Sequence, residues 1–388
     1  MSGSRDLRPV RFGIIGCGRM ADGFVDALRH VDGARVAAVA SRRYERAREF
    51  AHRHDVARCH ETADELVRDP AVDIVYVATP NHRHLPDSLL CLNNAKPVLC
   101  EKPLGLDADE VRAIIDAARR NGVFCMEAMW MRFVPAIRRL TELVERGSIG
   151  EIRSIHADFS VDVPFDPSSR LFDRAMGGGA LLDLGVYPLT LVDLLLGAPD
   201  HVVATSTLAP SDVDASSVAV LEYGGGCIAV ISTALNAVGP NDAVIAGTAG
   251  TIRVHGPICA PIRFDLTRRT PTSGPCSPST APGATWTDTG ARRLRGLATS
   301  SPAAARAARA ARDAIGSLPG VGTRRHRTGM LGNGYAHEVL EVARCLQEGR
   351  TESPHMSLDH SLRVASTLDA IRASAQQTER QGSPLERR

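Results

Sequence analysis

The sequence predicts an α/β chain in two parts: an N-terminal Rossmann doubly wound parallel sheet, and a C-terminal α+β domain with an open, largely antiparallel sheet. Three observations carry this. Short apolar runs alternate with helix-length segments between residues 10 and 127, the βαβ rhythm of a parallel sheet. A glycine-rich turn, Gly16-Cys17-Gly18-Arg19-Met20-Ala21, stands between the first run and the first helical segment. After Trp130 the rhythm gives way to runs rich in Val, Ile and Thr separated by turn residues, which suit antiparallel strands.

Strands are expected at residues 11–15, 36–40, 74–78, 98–100 and 124–126. Each is apolar on successive positions, as burial on both faces of a parallel sheet requires. Helices at 19–30, 44–54 and 107–121 lie between them, setting an N-terminal domain over residues 8–128. A helix at 135–146 then leads to a strand at 152–161, a glycine run, and a long apolar helix at 179–196. Strands follow at 201–208, 216–223, 227–235, 243–247 and 251–255, with Gly224-Gly225-Gly226 marking one turn. An open sheet needs cover on its second face, so residues 129–388 are expected to carry the substrate site and to form a homodimer or higher homo-oligomer through this sheet. The stretch 270–327, within an insertion ending near 330, is rich in Pro, Ser, Gly, Ala and Arg and poor in large apolar residues. It is expected to be low-complexity and disordered. A helix at 303–314 would align Arg306, Arg309 and Arg312; a solvated insertion explains them better than a nucleic-acid arm. Helices return at 335–347 and 358–373.

Composition excludes some classes of function. A formal net charge of +2 over 388 residues gives no electrostatic reason to expect nucleic acid or a membrane surface as partner. No apolar run looks long enough to span a membrane, and the first residues lack a signal-peptide core. The nine cysteines are scattered without a CxxC pair, which suits reduced thiols and a cytoplasmic location.

In the glycine-rich turn, Gly16 permits the tight bend, Gly18 lets the backbone approach a pyrophosphate, and Ala21 allows close helix–strand packing. Arg19 and Met20 open the helix, whose free N–H groups and dipole favour an anion. The second strand ends in Ser41-Arg42, with Arg46 one turn beyond. A free 2′-hydroxyl normally meets an acid there, whereas a 2′-phosphate prefers a hydroxyl and guanidinium. NADP(H) is therefore favoured over NAD(H), although Glu45 lies close by. Thr79, Pro80, Asn81 and His84 follow the 74–78 strand at the sheet's carboxyl edge and are expected to line the cofactor. His82 and His84 could suggest a metal pair, but no acidic or cysteine companion accompanies them, and no metal is expected.

Glu101-Lys102-Pro103 closes the next strand at the same edge, which puts Glu101 and Lys102 beside the cofactor. The chain has only two lysines, Lys96 and Lys102, among 46 Lys and Arg residues. An amine can be tuned toward neutrality where a guanidinium cannot, so Lys102 is either retained for chemistry or has simply escaped a drift to arginine. Asp183 and Tyr187, four apart after Gly177-Gly178-Gly179, would share a helix face. Asp183 could be a dipole-favoured carboxylate and Tyr187 a core residue. Beside a lysine, however, a phenol ionises more easily and can shuttle a proton.

Together these motifs resemble the Gfo/Idh/MocA family of pyranose and polyol oxidoreductases, over residues 11–255 and again over about 332–373. Within it, residues 125–135 and 178–187 look most similar to the dihydrodiol and NADP-dependent D-xylose dehydrogenase subgroup. The resemblance implies that Lys102 contacts substrate and supports catalysis, and that Arg42 and Arg46 bind the 2′-phosphate. It further implies that Tyr187 stands where many members carry His.

The expected activity is NADP(H)-dependent hydride transfer to or from a cyclic polyol, an aldose such as D-xylose, or a trans-dihydrodiol. Tyr187 would be the acid/base and Lys102 would lower its pKa, although Lys102 could itself donate the proton. Asp183 would orient substrate hydroxyls, and Trp130, Arg132 and Phe133 would wall the cleft. A sugar-nucleotide 3-ketoreductase and a non-catalytic NADP-binding regulator are the competing readings.

Overall fold

The computed structural model describes residues 9–268 and 322–380. Its first sheet runs β1 (Val10–Ile15), β2 (Ala34–Ala40), β3 (Cys59–His60), β4 (Ile74–Val77), β5 (Val98–Glu101) and β6 (Cys125–Ala128). The spatial order is β3-β2-β1-β4-β5-β6, and every pair is parallel, the doubly wound order expected. In β1, Phe12 and Ile14 pack into one core with Phe24 and Tyr76, while Ile15 packs into the other with Val75 and Val77. That two-sided burial is why these strands read as unbroken apolar runs.

The helices are α1 (Arg19–Leu28), α2 (Tyr44–His54), α3 (Ala63–Arg68), α4 (His84–Asn93) and α5 (Ala108–Asn121). The Asp107 side chain accepts from Glu110 N–H at the start of α5, and Gly122 ends it in a left-handed conformation at φ 62°. The Thr62 side chain caps α3 in the same way. Neither β3 nor α3 was anticipated. Two and six residues long, they are too short for periodicity to register.

The second sheet comprises β7 (Ile152–Ser160), β8 (His201–Leu208), β9 (Asp214–Tyr223), β10 (Cys227–Ala234), β11 (Ala243–Gly247), β12 (Gly250–Val254), β13 (Arg263–Arg268) and β14 (Gly322–Arg327). Its order is β14-β13-β12-β11-β7-β10-β9-β8, antiparallel except for the β7–β10 pair. Helix α6 (Pro135–Glu145) packs on β13, α7 (Val186–Leu196) on β7 and β10, and α9 (Leu358–Arg380) on β8. Helix α8 (Ala336–Gln347) instead joins α1 and the 3₁₀ turn Trp130–Phe133.

Three expectations are corrected. Residues 322–327 fall within the stretch expected to be low-complexity and disordered, yet they form β14, paired in register with β13 from Arg263↔Arg327 to Arg268↔Gly322. The strand is polar because it lies at the sheet's edge, where charged side chains discourage further pairing, and its partner β13 is a strand that the sequence pattern does not announce. The rest of that stretch, with the helix expected at 303–314, lies outside the described residues. Second, the run Arg174–Leu196 is long and apolar enough, at mean hydropathy 1.6, to cross a membrane. It is a core segment instead, most of it buried within the protein. Third, the expected continuous helix at 179–196 is a π-helical turn, Leu181–Gly185, running into α7.

Candidate active site

The glycine-rich turn is built as a nucleotide cradle requires. Gly16 has φ +100°, and a Cβ there would lie 2.7 Å from the Ala78 carbonyl oxygen, so only glycine fits between β1 and β4. Gly18 caps α1 with no side chain bonded to its free N–H groups, and a Cβ on it would meet nothing within 4 Å. That open approach to a helix N-terminus fits a pyrophosphate. At the end of β2, Arg42 and Arg46 are exposed and make no side-chain bond among the described residues, leaving two guanidinium groups free for a phosphate beside half-buried Ser41. These residues fit a dinucleotide.

The loop after β4 is tied inward. Thr79 Oγ1 donates to Asp87 at 2.9 Å, and Asn81 Nδ2 donates to the Gly177 carbonyl at 3.0 Å. These bonds tie this edge of the sheet to α4 and to the glycine run. His84 is fully buried, its Nδ1 2.7 Å from the Pro103 carbonyl and its Nε2 2.8 Å from the Thr79 carbonyl. Burial holds its pKa below the ordinary value, so the ring is neutral and donates to one of the two. It pins the loop after β4 to the turn that carries Lys102. Glu101 is also structural: one oxygen accepts from Tyr76 Oη, the other from Lys102 N–H at 3.2 Å.

Lys102 and Asp183 meet across the cleft. Lys102 Nζ donates to the Asp183 carbonyl at 2.7 Å and lies 3.5 Å from Asp183 Oδ1, with about a tenth of each side chain exposed. A π turn takes a carbonyl out of the α-helical ladder, and here the ammonium satisfies the Asp183 carbonyl. Arg170 Nη1 donates to the same Oδ1 at 2.9 Å. Burial pushes the Asp183 carboxyl up, but Lys102 and Arg170 outweigh it and hold it below the usual range. Arg170, on an irregular segment before the glycine run, carried no motif by which sequence could find it.

Tyr187 faces this group differently from the expectation. The Lys102 ammonium stands 5.0 Å from the centre of its ring, over the face rather than at the hydroxyl. Tyr187 Oη accepts from Trp130 Nε1 at 3.2 Å, and Phe159 packs edge-on against the ring. Burial drives the phenol well above its ordinary pKa, with Cys259, Tyr335 and Glu101 adding to it. The expected lowering by Lys102 is therefore not found: a buried ring desolvates its own phenolate.

Of the three residues expected to wall the cleft, only Trp130 joins the cluster. Phe133 is buried in the core. Arg132 points to α9, its Nε donating to the His355 carbonyl at 2.8 Å and its Nη1 2.7 Å from His360 Nδ1. Alternation within one short turn sends these neighbours in opposite directions. Tyr335, which sequence reasoning missed, stacks edge-on against Trp130 at 4.9 Å and lies over Gly23 of α1, bridging the dinucleotide turn and the Tyr187 wall.

Comparison with known proteins agrees with this geometry. Residues 10–129 match the oxidoreductase family with an NAD-binding Rossmann fold, and residues 137–253 match the GFO/IDH/MocA C-terminal domain. The trans-1,2-dihydrobenzene-1,2-diol dehydrogenase of Xenopus tropicalis is 31% identical over 364 residues, 93% of this chain and 96% of that one. Two solved structures share the fold across 95% of this chain and 98% of theirs. A 3-ketoreductase from Actinomadura kijaniata, in complex with NADP and TDP-benzene, has a TM-score of 0.73 at 24% identity. A levoglucosan dehydrogenase, in complex with NADH and levoglucosan, has a TM-score of 0.75 at 22% identity. The chain belongs to the Gfo/Idh/MocA family of oxidoreductases. It is a nicotinamide-dependent dehydrogenase or reductase acting on CH–OH groups.

Proposed function

We propose that this chain uses NADP(H) to interconvert a ring CH–OH and the matching carbonyl (a ketone, or a lactone at an aldose C1) in a cyclic polyol, an aldose or a trans-dihydrodiol. The observation that carries the reading is the convergence of Lys102, Asp183, Arg170 and Tyr187 beyond an open dinucleotide turn. The 31%-identical dihydrodiol dehydrogenase supports the substrate class, and free Arg42 and Arg46 support the 2′-phosphate.

When bound, the nicotinamide ring would give or take the hydride. Lys102 places a positive charge where the substrate oxygen becomes negative during oxidation to the ketone. Asp183, held ionised by Lys102 and Arg170, accepts hydrogen bonds from neighbouring hydroxyls and so fixes which carbon faces the ring. Tyr187 keeps its proton at neutral pH because it is buried. It serves as the acid in the direction of reduction, with Trp130 orienting its oxygen. Lys102 as proton donor is the second reading, favoured by its ammonium lying above the phenol ring.

A homo-oligomer through the second sheet belongs to the same proposal. The face away from the helices carries Val203, Val218 and Ile228, each more than two-fifths exposed and put on one face by the β8–β9 and β9–β10 registers. A cytoplasmic setting is supported by eight cysteines, all unpaired among the described residues.

The test is NADPH formation by purified protein across trans-dihydrodiols, D-xylose, D-glucose and myo-inositol, with NAD⁺ in parallel. Turnover with NADP⁺ on one class supports the reading and selects the substrate. NADPH binding with silence on every substrate, and on a ketosugar nucleotide, would leave a sensor and overturn it.

A further inference from the structure

Glu338, on α8, is an anomaly that the reaction described above does not use. Its residue is 0% exposed, and neither carboxyl oxygen has a hydrogen-bond partner among the described residues. A buried carboxylate without partners is among the most costly groups a fold can hold, so it sheds its charge by keeping a proton.

The groups around it say which carboxyl of the local pair is ionised. Glu101, at the end of β5, faces Glu338 electrostatically and is itself buried. Glu101 has donors: Tyr76 Oη from β4, the Lys102 backbone N–H, and the nearby Lys102 ammonium. Glu338 has none. The other titratable groups acting near it are Tyr76 and Tyr335, both pushed upward first by burial and then by these carboxylates, with Arg19 of α1 beyond Tyr335. Glu341, one helical turn along α8, is occupied by Ser353 and Arg344. Burial raises the Glu101 carboxyl as well, but Tyr76, Lys102 and Arg170 act against it; one negative charge and one proton therefore suit the pair, with the charge on Glu101, which has the donors.

We propose that Glu338 is a positioning residue of the hydride-transfer site: a carboxyl kept neutral behind Glu101, so that Glu101 remains the one anion anchoring Tyr76 and the backbone of Lys102. This rests on the site reading above. It makes the site sensitive to alkali. Ionising Glu338 would set a second buried negative charge against Glu101, and relief would come by turning Glu101 away from Lys102 N–H.

Glu338 lies well above its unfolded value of 4.5, so its contribution to stability is present in acid and is lost as pH rises toward its folded value. Glu338→Gln cannot ionise. It should match the wild-type Tm at pH 5 and exceed it by a margin that widens toward pH 8. It should also bind NADPH with unchanged affinity and shift the alkaline limb of kcat to higher pH. Superimposable Tm–pH curves for the two proteins would overturn the proposal, as would a large loss of kcat in Glu338→Gln with an unmoved pH profile. Should Glu338→Gln fold poorly, the infrared carbonyl band of a protonated carboxyl at pH 8 decides instead. It should be present in the wild type and absent in Glu338→Met, and its absence from the wild type would sink the idea. Failure to find any substrate would defeat the dehydrogenase reading alone, since Tm, NADPH affinity and the infrared band need no turnover.

Discussion

Replacing Lys102 with methionine separates chemistry from folding at this site. The change removes a charge-assisted hydrogen bond to the Asp183 carbonyl at 2.7 Å, worth about 1.5–3 kcal/mol. It does not strand a buried charge, because Asp183 keeps Arg170 at 2.9 Å. The thioether also packs against the Tyr187 ring that the ammonium now covers. A net destabilisation of about 1–2 kcal/mol follows, a Tm fall of a few degrees for a chain of this size. NADPH affinity should hold, since the Gly16–Ala21 turn, Arg42 and Arg46 are untouched. Turnover should drop by about 10²–10⁴, the range for a lost acid/base or charge-stabilising group, equal to about 3–5 kcal/mol of barrier. Lys102→Arg should recover little, because a planar guanidinium cannot stand in the space of an ammonium with about a tenth of its side chain exposed. Steady-state kinetics, NADPH fluorescence titration and calorimetry check the three parts. A kcat within about threefold of wild type, in a protein that binds NADPH normally, would refute the catalytic role.

Arg42→Ala with Arg46→Ala should raise the Kd for NADPH by about 10²–10⁴-fold and leave NADH binding unchanged, since each phosphate contact to Arg is worth about 1.5–3 kcal/mol; equal losses for both cofactors would dismiss the 2′-phosphate assignment. Gly16→Ala should prevent dinucleotide binding and lower Tm, because the Cβ must enter within 2.7 Å of the Ala78 carbonyl at φ +100°; calorimetry with and without NADPH would show it. Asp214 accepts from Leu181 N–H at the start of the π turn, and burial raises its carboxyl to about 6. Its contribution is thus full below its ordinary 3.8 and fades as pH rises through about 6, by about 3 kcal/mol at most. Asp214→Asn should flatten the Tm–pH curve in that window, and an unchanged slope would exclude Asp214 as its source.

Some of this protein could be read without coordinates because the constraint is local. A turn between a strand and a helix must have glycine where φ is positive, so Gly16 announces itself. Lys102 stands out as one of only two lysines among 46 Lys and Arg residues, and strands buried on both faces leave unbroken apolar runs. The antiparallel strands also showed, as runs rich in Val, Ile and Thr between turn residues, apart from β13 and β14. The edge strand β14 is polar, and it exists only because β13 offers a ladder to pair with.

The remainder depends on contacts between distant segments. Arg170 reaches Asp183 across the glycine run, Tyr335 reaches Trp130 from the start of α8, and the Glu101 carboxylate acts electrostatically on Glu338, 237 residues away in sequence. No periodicity encodes such meetings. Arg132 and Phe133 sit beside Trp130 in sequence, yet a 3₁₀ turn aims them into α9 and the core. The pKa of Tyr187 was likewise undecidable from sequence. Proximity to lysine and burial push it in opposite directions, and only the tertiary structure, with the ammonium over the ring face and the hydroxyl buried, decides that burial wins.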